Sequence, residues 1–167
     1  SLFYISPGSG SITGLQSNSN YDWVAMGYDT LNKVVYGFSN IVNTRSLYAL
    51  NLVTDTTFLI MTYTNLNIFA AEYDNTNNKL YAVGFSDSSN TMQWLYEVNT
   101  FNGQEIAIGA LGLTANKTVY NAIDDGINGL AYDPTINELY GISHNGDLYT
   151  ISTSTGVASL IGNTGTF

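Results

Sequence analysis

The sequence predicts an all-β protein assembled from a repeated four-stranded antiparallel unit, and three observations carry that prediction. Short segments rich in Tyr, Val, Ile and Leu recur along the chain in a common register. Clusters of Asn, Asp, Gly and Thr separate them, the residues wanted where a turn needs positive φ or an Asx hydrogen bond. No long stretch shows helical periodicity with capping residues, so helix content is expected to be small.

The register is set by the first strand of each unit. Trp23-Val-Ala-Met-Gly-Tyr-Asp29, Ile68-Phe-Ala-Ala-Glu-Tyr-Asp74 and Ile127-Asn-Gly-Leu-Ala-Tyr-Asp133 align residue for residue. Each Asp is followed seven residues later by Tyr36, Tyr81 or Tyr140, which marks the second strand. The third carries Leu47-Tyr48, Leu95-Tyr96 or Leu148-Tyr149; a turn with Asp55, Gly103 or Gly156 then leads into a last apolar strand. The N-terminus joins at the third element, with Leu2-Phe3-Tyr4-Ile5-Ser6, Gly10 and Ile12-Thr-Gly-Leu15. We label the four strands of a unit A to D in chain order.

Four strands in about 40–60 residues match the blade of a β-propeller. The expected architecture is an array of three complete blades preceded by an N-terminal half-blade, in one domain over 1–167. The half-blade spans 1–20, the blades about 21–66, 67–112 and 125–167, and a long loop 113–126 precedes the last. A blade has two apolar faces and cannot sustain itself alone, so stacking neighbours must bury them. The repeated tyrosines fit between blades, ring inside and hydroxyl at the rim. Because the first unit supplies only strands C and D, a fragment or an assembly completed through the split blade is expected, since unpaired edges recruit other chains.

Composition removes several functions. The net charge is −9 with four basic residues, Lys33, Arg45, Lys79 and Lys117. Nucleic-acid binding needs clustered cations that release counterions, so no nucleic acid is expected, nor an anionic membrane surface. No apolar run approaches the roughly 20 residues of a membrane span. There is no cysteine, which excludes disulfides, thiolate metal sites and cysteine nucleophiles. The chain starts inside a strand pattern without an initiator Met or signal peptide, as a processed product or an excised fragment would. A neutral polar composition points to an extracellular or cell-surface location. The sequon Asn116-Lys117-Thr118 makes Asn116 a glycosylation candidate.

Loop lengths point to a functional face. Asp-to-Tyr spacing is constant across the A–B turns, whereas the strand B to C tyrosines lie 12, 15 and 9 residues apart. The Asp-to-Asp repeat is 45 and then 59 residues. B–C and D–A links emerge on one face of such an array, and variable loops on a uniform scaffold are where ligands are expected. Trp94 aligns with Ser46 and Asp147 and breaks a polar pattern, so its indole is a candidate for stacking on a sugar or a partner; Tyr63 and Tyr120 belong to the D–A links. Edge packing is the competing role for all three. Trp23 takes an apolar core position.

Asp124-Asp125-Gly126-Ile127-Asn128 gathers carboxylates and an amide on the longest loop. Calcium takes six to eight oxygens, and Asp124, Asp125 and Asn128 could supply some, although the spacing is not that of an EF-hand. Calcium is the one cofactor considered, and solvated loop charges are the competing reading. Asp29, Asp74 and Asp133 are expected to cap the backbone of their turns. His144 stands alone in a short loop without a nucleophile elbow. No catalytic residue is identified and no enzyme is expected.

Gly129-Leu-Ala-Tyr-Asp-Pro134, Leu139-Tyr-Gly-Ile142, Gly146-Asp-Leu-Tyr-Thr-Ile151 and Thr155-Gly156 with Ile161-Gly162 resemble secreted β-propeller repeat proteins, a group similar to the NHL, YVTN and quinoprotein-like superfamilies. The resemblance implies the fold and leaves the function open, because this architecture hosts binders, scaffolds and enzymes. The expected function is a non-catalytic extracellular adhesion or binding module with a glycan or protein partner on the B–C/D–A face. A structural subunit that self-associates is the alternative.

Overall fold

The computed structural model describes residues 2–5, 12–16, 23–40, 45–86, 92–114, 116–117, 123–124 and 126–165; side chains are described from 23 onward, except over 114–125. All described regular structure is β. The hairpin of β1 (Leu2–Ile5) and β2 (Ile12–Gln16) comes first. The first blade is β3 (Trp23–Asp29), β4 (Val34–Ser39), β5 (Arg45–Asn51) and β6 (Thr56–Tyr63). The second is β7 (Leu66–Asp74), β8 (Lys79–Ser86), β9 (Met92–Val98) and β10 (Glu105–Thr114). A short pairing of β11 (Asn116–Lys117) with β12 (Ile123–Asp124) follows. The third blade is β13 (Ile127–Asp133), β14 (Glu138–Ser143), β15 (Asp147–Ile151) and β16 (Ala158–Asn163). Each blade is a meander of four antiparallel strands in sequence order.

The turns close as their side chains dictate. Asp29 Oδ1 accepts from the amides of Leu31 and Asn32, and Asp74 Oδ1 from those of Thr76 and Asn77. Asp133 takes the amide and hydroxyl of Thr135 in the same way. Burial would push the Asp29 carboxyl up, but its bonds from Asn32, Leu31 and Tyr73 outweigh this and lower it. The C–D turn needs a left-handed residue, and Asp55, Gly103 and Gly156 all have positive φ there.

Regular bulges set the twist of each blade. Strand A is bulged between Trp23 and Ala25, Ile68 and Ala70, and Ile127 and Gly129, at one repeat position. Strand D carries its extra residue opposite the Leu-Tyr pair, and an isoleucine fills it in each complete blade: Ile60, Ile108 and Ile161. An extra residue on one strand sharpens the right-handed twist, which is how an inner and an outer strand of one blade come to point in different directions.

The inner strands pack side by side, with β7 lying between β3 and β13. One core joins the first two blades, with Phe38, Leu47, Ile68, Tyr73, Leu80 and Tyr96 among its members. A second joins the next two through Tyr81, Val83, Leu95, Ile127, Leu139 and Ile151. Repeat tyrosines cross the boundary as the pattern predicts: Tyr36 of the first blade stacks on Tyr73 of the second with centroids 5.6 Å apart. Burial, with the Asp29 charge nearby, pushes the Tyr73 phenol up to about 12. Outer edges touch closely enough to demand glycine, since a Cβ on Gly109 would stand 2.0 Å from the Thr155 carbonyl oxygen.

Two side-chain amides, half-buried Asn40 and fully buried Gln93, fasten the inner strands β7 and β13 to the preceding blade. Asn40, just after β4, bonds both the carbonyl oxygen and the amide of Ile68. Gln93 does the same to Ile127, donating at 3.0 Å and accepting at 2.7 Å. Ile68 and Ile127 are repeat equivalents, both at the strand-A bulge, where ladder pairing is interrupted and main-chain groups need other partners.

Candidate functional site

A cleft of about 280 Å³ opens between the first and second blades. Met61, Thr62 and Tyr63 at the end of β6 and the link residues Thr64 and Asn65 form one wall. Leu66, Ser86, Tyr96 and Glu105 of the second blade complete it. The D–A link and the end of strand B meet the start of strand D here, so the cleft draws on both ends of the blade strands. Its lining combines Met61, Leu66 and two tyrosine rings with hydroxyls, one amide and one carboxylate.

Tyr63 is the final residue of β6 and is buried. Its hydroxyl donates to the Gly103 carbonyl oxygen at 2.7 Å, and its ring stacks on Phe38. Burial and then the Glu105 charge push its phenol well above the ordinary tyrosine range; Tyr96 is raised for the same two reasons, offset in part by Ser86. Both phenols therefore stay protonated and serve as neutral walls beside a carboxylate. Such a cleft suits hydroxyl or amide donors and repels anions. Hydroxyls, one amide and one carboxylate are the hydrogen-bonding groups its lining offers.

The other sequence candidates distribute as follows. Trp94 on β9 is half-buried, packs against the core of the first two blades, and is not part of the cleft lining. Asn128 is exposed at the β13 bulge. Asp124 and Asn116 lie on β12 and β11, paired with each other through the backbone, and their side chains lie outside the described residues. Tyr120 and Asp125 also lie outside the described residues. His144 is exposed in the β14–β15 turn, its amide donating to the Gly126 carbonyl oxygen. Among the described residues no group of three His, Asp or Glu side chains comes together. Ser86, Tyr96 and Glu105 were missed as site residues; only the three-dimensional meeting of blade edges reveals them.

One titratable group away from the cleft has an unusual environment. Glu72 on β7 shares its strand face with Ala70, toward the third blade, and burial raises its carboxyl to about 7. An unfolded glutamate titrates near 4.5, so the folded state binds the proton more tightly between these values. The stabilisation is complete below pH 4.5 and disappears as pH rises through 7. Glu72→Gln is expected to flatten this slope and to be about 1–2 kcal/mol more stable than the wild type near pH 8, a value reduced for partial solvent screening. Urea unfolding at several pH values checks it; parallel pH profiles for the two proteins would contradict it.

No family model matches the chain, and no curated protein matches it. Solved structures do. TolB from Acinetobacter baumannii superposes with a TM-score of 0.63 at 11% identity, covering 97% of this chain and 37% of that one. An auxiliary nutrient binding protein from Bacteroides thetaiotaomicron gives 0.55 at 13%, covering 95% and 40%. A chain of the nidogen/laminin complex gives 0.54 at 9%, covering 98% and 74%. The chain thus spans well under half the length of the first two. These neighbours are β-propeller-type proteins, and at such identities the likeness concerns fold. Repeat register, blade topology and neighbours agree: the chain is a β-propeller-type array of four-stranded antiparallel blades.

Proposed function

We propose that the chain is a non-catalytic binding module of the cell surface or extracellular space, taking a neutral, hydroxyl-rich ligand in the cleft between its first two blades. The observation that carries this reading is the cleft itself, walled by Tyr96 and Tyr63 with Glu105 and Ser86 among its lining residues. Aromatic walls and a few fixed polar groups are what small-ligand sites commonly use. Carbohydrate fits this chemistry, and so does a peptide with exposed amides. Among the fold neighbours, one is named as a nutrient binding protein and one as part of a protein complex, which supports a binding role of either kind. Trp94, Tyr120, Asp124 and Asp125 stay in the reading as sequence candidates for further contacts. Calcium at Asp124, Asp125 and Asn128 is a subsidiary proposal.

A glycan microarray followed by calorimetry on the best neutral oligosaccharide tests it. Glu105→Ala is expected to weaken binding about tenfold, the loss of one charged hydrogen bond. Ile136→Ala, at an exposed position in the β13–β14 turn of the third blade, is expected to leave it unchanged. Loss of binding in Ile136→Ala with Glu105→Ala unaffected would place the ligand elsewhere and sink the proposal.

A second reading, an assembly subunit, is favoured by one observation: the outward faces of the first and third blades are less covered than their equivalents inside the array.

A further inference from the structure

The cleft between the first two blades departs from the repeat instead of following from it. Ladder register matches Met61 of strand D with Gly109 in the second blade and Gly162 in the third, each opposite the leucine of the Leu-Tyr pair. The same register matches Glu105 with Thr57 and Ala158. At the seam of the second and third blades, Gly109 and Ala158 therefore hold these two positions. There a Cβ on Gly109 would stand 2.0 Å from the Thr155 carbonyl oxygen in the C–D turn of the third blade. At the seam of the first and second blades the matching turn glycine is Gly103, and a Cβ on it would stand 2.2 Å from the Cβ of Met61. The packing of strand D on the next C–D turn is shared. What distinguishes the first seam is a thioether and a carboxylate at these positions.

The wall tyrosine Tyr96 is matched by Tyr48 and Tyr149 and so belongs to the repeat. Met61 and Glu105 are what this seam adds, and both are exposed at the cleft. Each calls for a different ligand group. A carboxylate only accepts hydrogen bonds and needs a donor. A thioether is flexible and apolar and needs a methyl group or a ring face. A plain hydroxyl sugar satisfies Glu105 and leaves Met61 in water, and a protonated amino sugar does the same. A secondary amide carrying a methyl group offers both contacts at once, and the Ser86 hydroxyl in the lining is a donor for its carbonyl. The cleft volume of about 280 Å³ lies just below the roughly 300–1,000 Å³ of drug-sized sites, so one sugar ring with its substituent fills it.

We propose that the group seated in this cleft is the acetamido substituent of an N-acetylated sugar, its N–H donated to Glu105 and its methyl laid against Met61. The assignment deepens the binding reading above and rests on it. A net charge of −9 and Glu105 itself disfavour acidic glycans, so the class is neutral glycans that carry N-acetylhexosamine. A peptide presents its amides along an extended main chain that a cleft of this volume does not enclose, which favours the sugar.

Calorimetric titration of the 167-residue chain tests it, with the methyl glycosides of N-acetylglucosamine, glucose and glucosamine and their galactose-configured counterparts. In at least one configuration the acetamido glycoside is expected to bind about tenfold or more tighter than the hydroxyl and amino ones. Met61→Ala should reduce that preference to about threefold and leave affinity for the hydroxyl glycoside within about twofold, because only the methyl contact is lost. Unchanged circular dichroism establishes that the variant folds. Equal affinities across each set, tighter binding of the amino glycoside, or a preference that Met61→Ala leaves intact overturns this inference and leaves the cleft reading in place. N-acetylalanine methylamide binding as tightly as the acetamido glycosides overturns the sugar assignment. Failure of every glycoside to bind overturns both the assignment and the cleft reading.

Discussion

Phe38→Ala is expected to cost about 3–5 kcal/mol of folding stability, a large part of the roughly 5–15 kcal/mol that a domain of this size holds. Phe38 is 1% exposed and sits on β4, facing the second blade. Its ring stacks on Tyr63 at 6.4 Å, and Tyr63 in turn reaches across to the Gly103 carbonyl of the second blade. Removing the ring opens a cavity at the boundary and loosens the tyrosine that bridges it. Neighbouring strands are fixed by their own ladders and cannot collapse into the gap, which puts the cost toward the upper part of the range. Phe38→Leu keeps most of the volume and should cost about 1–1.5 kcal/mol. Denaturant unfolding measures both. Equal, small losses for the two variants would mean that the first and second blades do not share a core.

Gln93→Leu is expected to destabilise by about 2–5 kcal/mol, even though it replaces a polar side chain by an apolar one of similar size. The Gln93 side chain is fully buried, and its amide satisfies both main-chain groups of Ile127. Leucine leaves that amide and carbonyl without partners in a dry site, and each orphan costs about 1–3 kcal/mol. The hydrophobic gain from leucine is smaller than two such penalties, so the sign of the result is diagnostic. Gln93→Glu offers an acceptor for the Ile127 amide but no donor for its carbonyl and brings a charge into the core, so it should be no better. Stabilisation by leucine would show that Gln93 does not join the second blade to the third.

Much of this arrangement was legible in the sequence because it is periodic. Asp29, Asp74 and Asp133 announce identical turns, and Asp55, Gly103 and Gly156 announce one left-handed position. The tyrosines of the Tyr-Asp pairs could be assigned to blade boundaries from amphipathic logic alone. The fastening amides could not be read: Asn40 follows β4 whereas Gln93 lies on β9, so no alignment brings them together, though each grips the equivalent strand-A residue. The cleft was hidden for a related reason. Glu105 and Tyr63 belong to different blades and meet only because the outer strands of one blade lie across the end of another. Tyr63 and Trp94 stood out by type, yet the structure uses Tyr63 as a bridge that also walls the cleft and Trp94 as packing at the core margin. The region 113–126, expected to be a long loop, is partly spanned by the end of β10 and the β11–β12 pairing.

The central claim is that stability runs from blade to blade through the inner strands, with β7 held on both sides. Native-state hydrogen exchange tests this most directly, because each amide reports the free energy of its own opening. Amides of β7 and its partner β8 are expected to exchange slowest, and those of the outer strands β6, β10 and β16 fastest. Outer strands protected as strongly as β7 would contradict it, and would mean that each blade stands on its own ladder rather than on its neighbours.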